Sequence, residues 1–89
     1  MDQREFARLM GHADVLLSQS RFKQADEILQ KLLATGYEQP DLMKMMAVAK
    51  LGLGDRQAAE EIIKIMMSRH PDDPYLFYLL ATINAGKRD

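Results

Sequence analysis

The sequence predicts an all-α fold of five helices, arranged as two and a half copies of a helix–turn–helix unit. Two observations lead to this prediction. Shifting the chain against itself by about 34 residues places small residues on small ones and large apolar residues on large ones. Apolar residues also recur at three- and four-residue steps, which is the helical period, and no strand-like alternation competes over a useful length.

The first unit occupies about residues 6–39 and is predicted to contain two helices. The first helix is predicted over residues 5–17 and is followed by Ser20, a candidate N-cap for the second. The second helix is predicted over residues 22–33. Gly36 can take the left-handed conformation that ends such a helix.

The second unit occupies about residues 40–73 and repeats this arrangement. Pro40 suits the first turn of the third helix, where its missing N–H is not needed, and residues 52–54 break that helix. Asp55 is a good N-cap for the fourth helix, which should stop at His70–Pro71.

A half unit at residues 74–86 completes the chain with a fifth helix, from Pro74 to about Ala85. Residues 1–89 are expected to form one domain, because 89 residues are too few for two separate cores.

Alanines recur at matched positions of the units, in sites where two helices could approach closely. They are Ala13, Ala47 and Ala81 in the first helix of each unit, and Ala25 and Ala59 in the second. A 34-residue helix pair with these small positions resembles the tetratricopeptide repeat, with the pattern W-x2-L-G-x2-Y…A-x3-F…P. The resemblance covers about residues 6–86 and implies a short right-handed superhelix with a concave groove.

At other positions of that pattern, this sequence has residues that differ from the family's. The first aromatic position holds Leu9, Met43 and Phe77; the leucine position His12, Met46 and Leu80; the tyrosine position Leu16, Lys50 and Asn84. We expect a core that contains Leu9, Met43, Met46, Ile63, Met66, Met67, Phe77 and Leu80. We expect His12 to be a packed neutral side chain, and Asp26–Glu27 to lie on a solvated helix face.

The composition argues against several classes of function. Twelve Lys and Arg oppose thirteen Asp and Glu, for a net charge of −1, so no cationic excess favours nucleic acid or anionic lipid. The absence of cysteine excludes disulfides, thiol catalysis and Cys-based zinc sites. No signal peptide or bilayer-spanning run is recognised, so we expect a cytoplasmic protein without membrane insertion.

Neither catalysis nor a cofactor is expected. The chain has no glycine-rich phosphate loop and no recognisable nucleophile–base set, and two isolated histidines do not make a metal site. We therefore predict a protein that is not an enzyme and that holds no metal.

The fifth helix carries more apolar surface than the chain can cover. Its residues 75–83 are apolar around most of the circumference, and the chain ends at Asp89 without the helix that would complete a third unit. Each large side chain left in water forgoes roughly 1.5–3 kcal/mol. A large uncovered apolar patch is typical of a binding site for another chain.

Matched positions on the first helix of each unit are expected to line the concave groove. These residues, called the predicted groove below, are Ala7, Met10, Leu17, Lys44, Val48, Leu51, Tyr75, Tyr78 and Thr82. An apolar groove of this kind suits one face of an amphipathic helix.

The small size, degenerate repeats and apolar groove resemble the needle-subunit chaperones of bacterial type III secretion. That resemblance implies a protein that cradles the apolar helix of a needle subunit, prevents its premature polymerisation, and works beside a second small helical chaperone. It is unlike the heat-shock carboxylate clamp, whose Lys, Asn and Arg positions here hold Met10, Asp14, Met45 and Leu79.

Two alternatives stay open at this point. The protein could be a generic adaptor or scaffold that binds a short extended peptide. It could instead be a self-associating structural protein whose fifth helix packs against a second copy, forming a homodimer when no partner is present.

Overall fold

The computed structural model describes residues 2–36 and 39–86, and within them the regular structure consists of five α-helices. They are α1 (Gln3–Ser18), α2 (Phe22–Leu33), α3 (Pro40–Gly52), α4 (Arg56–Arg69) and α5 (Pro74–Gly86). Each helix packs against the next, and α1 also touches α3. No strand occurs in the described ranges, and the predicted all-α repeat architecture is confirmed.

Aspartate side chains cap the starts of α1 and α4. The Asp2 carboxylate accepts the Glu5 N–H at 2.8 Å at the start of α1, and Asp55 accepts the Ala58 N–H at 3.2 Å at the start of α4. Asp55 is therefore the N-cap that the sequence predicts. Gly36, after α2, has the expected left-handed conformation, with φ of +82°.

Ser20 does not cap α2, and that prediction is wrong. Ser20 has φ of +60° and closes α1: its N–H donates to the Leu17 carbonyl at 3.0 Å, and the Arg21 N–H to the Leu16 carbonyl at 2.8 Å. These two bonds form a Schellman motif, which needs a left-handed residue at this place. Gly54, at the matched position of the second unit, closes α3 in the same way.

The core consists of two clusters that meet in α3. The first contains Phe6, Ala13, Leu29, Leu32, Leu42, Met46 and Ala49. The second contains Ala47, Ala59, Ile63, Met66, Leu76, Leu79 and Ile83. Because α3 contributes to both, it joins the two units into one body.

The alanine positions explain how closely the helices pack. Ala13, Ala25, Ala47 and Ala59 are all fully buried. Small side chains at these positions allow the two helices of a unit to approach each other. Of the other predicted core residues in the two complete units, three are buried (Met46, Ile63 and Met66) and three are half-buried (Leu9, Met43 and Met67).

One face of α3 packs against the preceding unit, whereas no described residue packs against the same face of α1. Met46 of α3 is buried in the first cluster, whereas His12, its counterpart in α1, is exposed. The neighbouring Arg8 and Val15 are exposed as well. The prediction of a packed His12 is wrong, because no described element precedes α1 to cover it.

The opposite mismatch occurs in α5. Phe77, expected in the core, is 52% exposed, and Leu80 is only half-buried. The helix buries a different stripe, made of Leu76, Leu79 and Ile83. Phe77 occupies the face that would meet the second helix of a unit, and no described residue lies there.

Asp26 is buried, which corrects the prediction of a solvated face, although Glu27 beside it is exposed. Its Oδ2 accepts hydrogen bonds from Gln30 Nε2 at 2.8 Å and Lys50 Nζ at 3.2 Å. Lys50 stands at the tyrosine position of the repeat pattern. Its ammonium group gives the buried carboxylate a partner across the α2–α3 contact, which a tyrosine ring would not do.

A double-mutant cycle should show that Asp26 and Lys50 are energetically coupled. We expect Asp26→Ala and Lys50→Met each to lower the free energy of unfolding by about 1–3 kcal/mol, because each leaves a partly desolvated charge without its partner. The double variant should lose less than the sum of the two. Urea denaturation measures all three, and strictly additive losses would contradict the coupling.

Gly52 is the last residue of α3 rather than the start of the predicted break. A Cβ at this position would overlap the ring of Phe22, at the start of α2. The glycine therefore allows the aromatic ring to lie directly on the α3 backbone.

We expect Gly52→Ala to destabilise the protein by about 1–3 kcal/mol, because the added methyl group displaces the Phe22 ring. Gly11→Ala is the matched control, since Gly11 lies within α1 and a Cβ there meets nothing within 4 Å. The control should be neutral or stabilising by up to about 1 kcal/mol, from helix propensity. Thermal unfolding of both variants tests this, and equal effects would refute the steric explanation.

Candidate functional site

The side chains of the predicted groove are all at least partly accessible. Ala7, Tyr75, Tyr78 and Thr82 are exposed, whereas Met10, Leu17, Lys44, Val48 and Leu51 are half-buried. The half-buried apolar residues rest on the core: Met10 and Leu17 on the first cluster, Val48 and Leu51 on the second. These contacts with the core hold the side chains in place, and part of each side chain remains accessible to a partner.

The structure brings three of these side chains together. The rings of Tyr75 and Tyr78 stack with centroids 6.2 Å apart and planes 23° apart. Lys44 Nζ lies 5.5 Å from the centre of the Tyr75 ring, within the range of a cation–π contact. Lys44 and Tyr75 therefore connect α3 to α5 at this surface.

Asp73 organises this cluster from the residue before α5. Its Oδ1 accepts the Tyr75 N–H at 2.9 Å, and its Oδ2 lies 2.7 Å from Lys44 Nζ. One carboxylate thus caps α5 and fixes the ammonium group that lies against the Tyr75 ring. Sequence analysis had not placed Asp73 in the site, although an aspartate directly before Pro74 is a recognisable helix-start signal.

These contacts also shift the ionisation of the pair. The hydrogen bond from Lys44, followed by the bond from the Tyr75 N–H, lowers the pKa of Asp73 below its ordinary value of 3.8. The bond to Asp73 raises the pKa of Lys44 above 10.5. Both groups are charged at neutral pH, and the Lys44 ammonium is engaged within the chain.

The chemistry of this surface suits the binding of an apolar partner. Tyr78 is 65% exposed and Tyr75 40% exposed, so part of each tyrosine is in contact with solvent. Tyrosine combines a large apolar contact area with one hydrogen-bonding group, and it is enriched in protein interfaces. Nothing in this cluster supplies a nucleophile with an adjacent base.

Two further classes of site are not found in the described parts of the chain. Residues 2–36 and 39–86 contain no group of three or more His, Asp or Glu side chains arranged to hold a metal ion. Among the helices described, none has the length and apolar character needed to span a membrane.

A comparison with known families assigns the fold. A family model described as tetratricopeptide repeat matches residues 16–83, which is most of the chain. The chain belongs to the tetratricopeptide repeat family. No curated protein and no solved structure matches it significantly.

Tetratricopeptide repeats are typically non-catalytic modules for protein–protein interaction, and this membership makes the chain an interaction domain. The family resemblance predicted from the alanine positions is confirmed. The role of each residue in the predicted groove stays a prediction, since the match concerns the repeat and not the residues that bind.

The stability of this tetratricopeptide repeat domain should depend on the Lys44–Asp73 pair in a pH window. Because the pKa of Asp73 is lowered on folding, its contribution is present above about pH 4 and is lost as the pH falls through the lowered value. Because the pKa of Lys44 is raised, its contribution is lost only as the pH rises beyond its ordinary value of 10.5.

We therefore expect Asp73→Asn to be less stable than the wild type by a constant amount between about pH 5 and pH 9, a difference that vanishes in strong acid. Urea denaturation across this pH range measures it. Asp72→Asn is the matched control, since Asp72 is exposed beside Asp73, and it should change little. A difference that persists unchanged in strong acid would show that the carboxylate charge is not involved.

Proposed function

We propose that this protein is a helix-binding chaperone or co-chaperone that cradles one amphipathic helix of a partner in the predicted groove. The observation that carries the proposal is the Tyr75–Tyr78 stack, held against α3 by Lys44 and left open to solvent. Family membership supports the coarser statement, a domain for protein–protein interaction.

The geometry of the groove favours a helical partner. On α3, Lys44, Val48 and Leu51 follow the spacing i, i+4, i+7 and so occupy one stripe of the helix. On α5, Tyr75, Tyr78 and Thr82 form a similar stripe. These two stripes, each about two turns long and mainly apolar or aromatic, match the i, i+3, i+4, i+7 anchors of an amphipathic helix.

In its most specific form, the proposal makes the partner a needle subunit of a type III secretion system, bound in the cytoplasm together with a second small helical chaperone. The support is the small size, the degenerate repeats and the apolar groove. A needle subunit exposes an apolar helix that drives its polymerisation, and a groove lined by Met10, Val48 and Tyr78 would cover such a helix.

We expect Tyr78→Glu to abolish binding of the natural partner while the protein stays helical, because a carboxylate would be buried against an apolar helix. Leu51→Glu should act in the same direction. Ile65→Glu is the matched control: Ile65 is 49% exposed on α4, outside the predicted groove. Co-purification from the natural host, with circular dichroism of each variant, provides the measurement.

The partner segment then separates the candidate functions. A bound segment that is helical by NMR, stays soluble in complex with the wild type or the control variant, and polymerises once it is released supports the needle-subunit form. A bound segment that is extended supports an adaptor instead. Retention of the partner by both groove variants would place the binding site elsewhere and overturn the proposal.

A further inference from the structure

A second surface of α5 lies beside the groove and is not part of it. Its central residues are Phe77 and Ala81, with Leu80 and Asn84 at its border, and it is called the outer face below. Successive residues of a helix are separated by about 100°, so Phe77 and Ala81 point away from the buried residue Leu79. Phe77, Ala81 and Asn84 are exposed and Leu80 is half-buried.

The outer face continues a series of interfaces that the chain makes twice. Ala47, the counterpart of Ala81 in α3, is fully buried in one cluster with Ala59 and Ile63 of α4. Ala13, the counterpart in α1, is fully buried against α2. In both complete units, therefore, the second helix of the unit covers this alanine. Only in α5 is the same position open among the described residues.

The covering helices share a pattern of side chains. Each has an alanine, a large apolar residue four positions later and another seven positions later. These are Ala25, Leu29 and Leu32 in α2, and Ala59, Ile63 and Met66 in α4. All six are buried. The alanine allows close approach, and the two large residues fill the space on either side.

A second copy of the chain is not favoured as the cover. The open face of α1 presents the polar side chains of Arg8 and His12 beside Val15, so stacking copies head to tail would take these two polar groups out of water. It would also place α1, the first helix of a unit, where the second helix of the unit packs in the two complete units. In those units α2 and α4 occupy that position.

We propose that the outer face docks an amphipathic helix of another protein that carries the pattern Ala-x3-(Leu/Ile)-x2-(Leu/Met). This site goes beyond the proposed groove function, because it uses a different side of α5 and a different register of residues. The helix would complete a third repeat in trans, in the way that α4 completes the second.

The α4 sequence itself supplies a probe. A synthetic peptide of residues 55–70, which includes the Asp55 cap, is titrated into the full chain and followed by calorimetry and by amide NMR shifts. We expect saturable binding with the largest shifts at Phe77 and Ala81. Ala81→Glu should weaken it at least about tenfold, because the carboxylate would be buried at the contact.

Three controls make the result specific. The same peptide with Ala59→Glu should not bind, since it loses the position of close approach. Tyr78→Glu, in the predicted groove, should leave peptide binding unchanged, so failure of the groove and failure of the outer face are distinguishable. Circular dichroism of Ala81→Glu should match the wild type, since Ala81 is already exposed.

The other outcomes count against the proposal. Equal binding to the wild type and Ala81→Glu would place the peptide elsewhere, and no binding at millimolar peptide would show that the face does not accept such a helix. Light scattering that finds a dimer of the free chain, dissociated by Ala81→Glu, would identify a second copy as the occupant instead.

Discussion

The structure depends on one constraint: the first helix of each repeat must be covered on two sides, by the second helix of its own unit and by the preceding unit. Among the helices described, only α3 meets both demands. Its Ala47 is buried on the side that faces α4, and its Leu42 and Ala49 are buried on the side that faces α2. The helices at either end have one side covered, and the character of the uncovered side differs between them.

That difference is chemical. The uncovered side of α1 carries Arg8 and His12, which water solvates at little cost, beside Val15, whereas that of α5 carries the aromatic ring of Phe77. The two ends of the described array therefore differ in polarity. A stacked protein normally ends in a polar face because water then covers what no further repeat covers. Among the described residues, the uncovered side of α5 is less polar than that of α1.

The polar contacts fix the positions of particular side chains, whereas apolar burial supplies most of the stability of the fold. The Lys50–Asp26 pair lies across the contact between units, and the Lys44–Asp73 pair fixes the start of α5 against α3. Partly exposed ion pairs contribute little to net stability in comparison with apolar burial. Their effect is geometric, since Asp73 sets the start of α5 and, through Lys44, the position of the Tyr75 ring. A cap, an ion pair and an aromatic stack thereby connect the repeat fold to the predicted groove.

The amino-acid pattern by itself determined the all-α class, the 34-residue repeat, the alanine contacts and the family, because these follow from periodicity and from the size of single side chains. It also placed Tyr75, Tyr78 and Lys44 on a common surface. The tertiary structure determined which side chains are buried, because burial depends on the helices that lie beside them. His12 and Phe77 are exposed because nothing described covers their faces, and Asp26 is buried because Lys50 meets it from another helix. A repeat pattern specifies equivalent positions, but burial depends on whether an adjacent unit is present, and that varies from one end of the array to the other.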